Sequence, residues 1–189
     1  MQYYSFAPHH RDSGWFLDPI SGALHQINDK YVDKFKSNKL PKKVLDALEY
    51  CNYPYNLEPP NFSKSYSLDL HKLKRINTFY DRIKHIRRLN FWLAILYAGI
   101  GSFEIKDSLE AFYLLKQVDR SALTDNEGCL NRTLAVAKSS LEFKKSGVLF
   151  IGADLPQASL HSWIIENNYQ PDPWDRDWIN YLPIAAYAY

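Results

Sequence analysis

Gly128-Cys129-Leu130-Asn131-Arg132-Thr133-Leu134-Ala135 opens a helical pattern, with Leu130, Leu134, Ala137 and Leu141 on one face until Lys144-Lys145-Ser146-Gly147. Val148-Leu149-Phe150-Ile151 then reads as a short buried strand, and Leu160-His161-Ser162-Trp163-Ile164-Ile165 as a second. The Asp172 region is expected either to form a third strand or to follow one. Helices packed on a small antiparallel sheet define an α+β class.

The same stretch carries chemistry. Cys129 falls in the first turn of its helix, where the macrodipole and a neighbouring imidazolium both favour thiolate, the nucleophilic form. His161 can exchange the thiol proton, and a carboxylate can fix the imidazole tautomer. Asp172 is the expected third member, eleven residues after His161, with Asp175 next in order and then Asp177. The plain alternatives are a packed helix thiol, a strand histidine and a solvated acidic loop. Trp163 reads as core, and Arg132 as either a carboxylate binder or an ordinary ion-pair partner.

Working outward, Asp107-Ser108-Leu109-Glu110 has the form of a capping box for a helix through Phe112, Leu115 and Val118. Ile76, Phe79, Tyr80, Ile83 and Ile86 recur at helical spacing. The rest of that helix carries Lys72, Lys74, Arg75, Arg82, Lys84, Arg87 and Arg88. Phe91–Ile100 is apolar but far shorter than the roughly 20 residues that cross a bilayer, so no stable membrane insertion is expected. Pro54–Ser65 breaks the pattern with proline, serine and asparagine, and places a linker there. Ahead of it, Trp15–Asp18 and Ala23–Ile27 form a hairpin across Pro19-Ile20-Ser21-Gly22. Tyr3–Phe6 makes a further strand, and short helices run through Tyr31–Phe35 and Leu40–Leu48.

Composition narrows the function classes. Twenty-three basic residues against 21 acidic give a net charge of +2, which argues against a dedicated polyanion binder. The two cysteines, in a chain whose start lacks a signal-peptide pattern, read as free thiols in a reducing cytoplasm. Cys51, with no histidine or cap beside it, reads as a packing thiol.

With these residues placed, the second half resembles the transglutaminase-like cysteine peptidases of lasso-peptide biosynthesis, the B proteins. Cys129–Ala135, Val148–Gly152 and His161-Ser162-Trp163 carry the resemblance in the family's order, over about residues 105–189. One departure is that Ile165 stands where the family usually has a glutamate, and Glu166 follows. The front half is similar to the small winged-helix leader-binding module of the PqqD type, through Leu17-Asp18-Pro19-Ile20-Ser21-Gly22 and Leu24–Asn28. The resemblance implies a leader-recognition module over 1–62 and a transglutaminase-like or papain-like domain over 63–189.

It also implies a cysteine peptidase with Cys129, His161 and Asp172 as catalytic residues, acting on the leader of a ribosomal precursor peptide. An edge strand of Ala23, Leu24, His25, Gln26 and Ile27 would hold that leader. The implied partner is an asparagine-synthetase-like lasso cyclase; no metal or cofactor enters this reading. Two other classes stay open. One is an acyltransferase or transglutaminase with the same three residues, and the other a non-catalytic peptide- or DNA-binding winged-helix protein.

Overall fold

The computed structural model describes residues 1–53, 68–84, 105–118 and 128–189. The expected linker and the apolar run 91–100 lie outside these residues. The architecture is α+β, built on two antiparallel sheets.

The main sheet has the order β1-β7-β5-β6, from β1 (Gln2–Ser5), β5 (Val148–Asp154), β6 (Ser159–Ile165) and β7 (Leu182–Ala188). The continuous apolar run of β5 is what burial on both faces demands. On one face Leu149, Ile151 and Ile164 join Ile76, Phe79 and Ile83 of α3 (Leu70–Lys84). Phe112 and Leu115 of α4 (Ser108–Val118) and Leu134 of α5 (Cys129–Ser139) complete that cluster. On the other, Val148, Phe150, Trp163 and Ile165 pack with Tyr4, Trp178 and Val44 and Ala47 of α2 (Lys42–Asn52). Alternation along each strand therefore feeds two apolar layers.

The smaller sheet has the order β2-β3-β4, from β2 (His9–His10), β3 (Ser13–Leu17) and β4 (Leu24–Asn28), with a short α1 (Val32–Phe35) after it. The β3–β4 turn is closed as its sequence predicts. Asp18 accepts from Ile20 N at 2.9 Å and from the Ser21 hydroxyl, and Gly22 adopts φ 71°, the left-handed region that glycine tolerates.

Three expectations change in detail. Residues 172–175 form a turn, and the third strand of the second half is β7. The sheet's fourth strand comes from the front of the chain: Tyr4 pairs with Ala186, so residues on both sides of the 62/63 boundary share one sheet. The cysteine helix ends at Ser139 because Ser140 restarts the chain, its hydroxyl accepting from Phe143 N to cap α6 (Leu141–Ser146). No helix among the described residues is long and apolar enough to cross a membrane.

Candidate active site

Cys129 stands at the first position of α5, after Gly128, which offers no side-chain cap. The helix is buried almost throughout and packs on β6 and α3, so its N-terminal end is fixed against the edge of the main sheet. His161 comes from β6, directly opposite Gly152 of β5. Its ring stacks with Tyr181, at a centroid distance of 4.9 Å, and with Trp163, at 6.2 Å, both close to parallel with it.

The imidazole Nε2 is 2.9 Å from Asp175 Oδ2, and both side chains are 3% exposed. His161 and Cys129 also act on each other's titration, the imidazolium favouring the thiolate and the thiolate the imidazolium. With Nε2 committed to Asp175, Nδ1 is buried and has no hydrogen-bond partner among the described residues. Burial alone would push His161 down, but its hydrogen bond to Asp175 and the negative charge of Asp175 and Cys129 raise it to about 9. Burial likewise pushes the Cys129 thiol up. The imidazolium, with the hydroxyl and backbone of Ser162, outweighs that and leaves the thiol below its ordinary value. The arrangement favours thiolate beside imidazolium.

Asp172 does not orient His161. It pairs instead with Arg132, Nε to Oδ2 3.1 Å, with the two side chains 5% and 2% exposed. Its other oxygen accepts from Trp174 N at 3.0 Å. The correction has a local cause. Asp172 is engaged by its own turn and by the guanidinium, and the residue three further on faces the ring. Asp177, in the first turn of a 3-10 helix, is exposed.

Several residues of the site went unread in the sequence. Tyr181 stacks on the histidine from twenty positions away, with no local signal. Ser162 and Thr133 are joined by their hydroxyls at 2.9 Å, tying β6 to the first turn of α5. Both lie in the quoted motifs, and their polarity at buried positions was the available clue. Glu166 is fully buried. It accepts from the Ser108 backbone and hydroxyl and lies beside the Ser140 hydroxyl, joining the start of α4 to the end of β6. Cys51 is a packing thiol: its Sγ accepts from Trp163 Nε1 at 3.4 Å, and burial pushes it up to about 12.

The expected leader strand is an edge of the smaller sheet. Leu24, His25, Gln26 and Ile27 lie in β4, with His25 and Gln26 exposed. Ala23 precedes the strand, and its carbonyl accepts from Asp18 N, closing the turn. A hollow of about 430 Å³ opens between Gln26 and the β5–β6 turn at Leu155 and Pro156. No group of metal-ligating side chains occurs among the described residues. Comparisons with protein-family models, curated proteins and solved structures found no match.

Proposed function

We propose that the protein is a cysteine peptidase that removes the leader of a ribosomal lasso-precursor peptide. The observation that carries the chemistry is the buried imidazole of His161, held by Asp175 on one nitrogen and linked to the Cys129 thiol at the head of a helix. The peptide substrate is supported by the motif resemblance and by the exposed β4 edge. Added-strand binding there would use main-chain hydrogen bonds for affinity and side-chain pockets for register.

In this reading the Cys129 thiolate attacks the scissile carbonyl. The developing oxyanion is met by the Cys129 backbone N–H at the positive end of α5. The His161 imidazolium gives its proton to the departing amine, which becomes the N-terminus of the core peptide. Neutral His161 then takes a proton from water, and the resulting hydroxide opens the thioester and releases the leader as a carboxylate. Asp175 keeps one tautomer and orientation through the cycle. Tethering the leader on β4 raises its effective concentration at the thiol. A lasso cyclase, acting in the cytoplasm, would consume the freed amine.

The test mixes the protein, or its Cys129→Ala variant, with a candidate precursor peptide and follows masses. Leader and core fragments summing to the precursor plus one water are expected with the unaltered protein alone. Cleavage surviving in the variant would sink the proposal, and a leader mass carrying an added amine would point to acyl transfer instead.

A further inference from the structure

We propose that Arg132 and Asp172 form an internal clamp that positions Asp175 against His161 and thereby keeps Cys129 reactive. Both are positioning residues for the reaction proposed above, on which this inference rests.

Arg132 lies within one turn of Cys129 on α5, so its guanidinium is fixed relative to the thiol. It meets Asp172 at 3.1 Å, out of water. Asp172 in turn accepts from the backbone N–H of Trp174, the residue before Asp175. One carboxylate therefore holds the turn that presents Asp175 and anchors that turn to the helix that presents Cys129. Pro171 and Pro173 flank it and restrict φ on either side, which leaves the turn few other shapes. The second support for the turn is Gln170, whose Nε2 donates to the Asp175 carbonyl at 3.4 Å.

A purely stabilising role fits poorly. Taking an ion pair out of water costs desolvation that its attraction seldom exceeds. That cost is visible in Asp172, which burial pushes up to about 6 against the pull of Arg132. What the pair supplies is geometry. Without it, the link between helix and turn would rest on side-chain packing, and Asp175 could leave the imidazole.

The test needs no substrate. Iodoacetamide alkylation of Cys129 in the full chain is followed by mass against pH, with Cys51 as the unreactive internal reference. Asp175→Asn should move the midpoint upward, because the imidazolium that favours thiolate loses its carboxylate. Asp172→Ala should move it in the same direction, by about one pH unit, although Asp172 does not touch the ring. The double variant Arg132→Gln with Asp172→Asn keeps an acceptor for the turn and leaves no lone charge, and should restore most of the original profile. An unshifted Asp172→Ala beside a shifted Asp175→Asn overturns the clamp and leaves the proposed function standing. An unshifted Asp175→Asn removes both. Should Asp172→Ala lack a cooperative thermal transition, Arg132→Gln carries the same comparison, and an unchanged profile there overturns the clamp.

Discussion

Gly152 sits directly across the β5–β6 ladder from His161, beside a register shift in the β5–β7 pairing. A Cβ at this position would fall 2.6 Å and 2.7 Å from the Trp163 ring and 2.9 Å from Tyr181 Cβ. Those are the two aromatics stacked on the imidazole. Gly152→Ala is therefore expected to destabilise the fold by about 1–3 kcal/mol through overpacking and to slow Cys129 alkylation by displacing the ring. Thermal melting and alkylation at pH 7 check both effects. A melting temperature equal to that of the unaltered protein would refute the steric account.

For the proposed leader removal, replacing Asp175 by asparagine should reduce kcat/KM by about 100- to 10,000-fold, the range seen when a histidine loses its orienting carboxylate. Asp177→Asn, at an exposed position, should leave the rate within twofold. Equal rates for the two variants would remove Asp175 from the mechanism.

The proposed reaction should slow above about pH 9, where His161 loses the proton that the proposal gives to the leaving amine. On the acid side it should persist below the ordinary range of a thiol, because His161 favours the thiolate. Asp175→Asn should bring the alkaline limb to lower pH, since the bond that raises His161 is gone. A kcat/KM profile whose alkaline limb ignores this substitution would contradict the assignment.

Stability should respond to Glu166. Burial raises its carboxyl from 4.5 to about 7, against the pull of its Ser108 hydrogen bonds. The folded state thus binds the proton more tightly than the unfolded chain. The corresponding stability is fully present below pH 4.5 and is lost as pH rises through about 7. Asp172, raised from 3.8 to about 6, adds the same sign over a lower window. Glu166→Gln should match the unaltered protein near pH 4.5 and melt higher at pH 8. A difference that does not change with pH would show that Glu166 is not the titrating group.

Under native conditions at pH 8, one equivalent of iodoacetamide should modify Cys129 alone, because burial holds Cys51 in its thiol form. Peptide mapping reads the site directly. Label on Cys51 at a comparable rate would overturn this ordering.

Much of the site's frame was legible because it is local. The helix start at Cys129, the apolar runs of β5 and β6 and the Asp18–Gly22 turn each follow from a few neighbouring residues. The carboxylate was not. Asp172, Asp175 and Asp177 lie within six positions, and which one reaches His161 depends on Arg132, forty residues upstream. β7 was equally opaque. Leu-Pro-Ile-Ala-Ala-Tyr-Ala has neither alternation nor a run of β-branched residues, and is extended because both its edges are paired. The capping box was half right. Asp107 accepts from Glu110 N, while Glu110 reaches back to Lys106 N and also takes Lys72.

The pairing of β1 with β7 also limits how the chain can be divided. An excised 63–189 fragment would leave the β1-facing edge of β7 with open backbone donors and acceptors, a template for another chain's strand. It would also strip Tyr4 and the α2 residues Val44 and Ala47 from the layer beneath Trp163. Such a fragment should self-associate rather than behave as a small autonomous peptidase. A duplication or a transplant of residues 63–189 must therefore carry β1 (Gln2–Ser5) along, or supply a substitute strand.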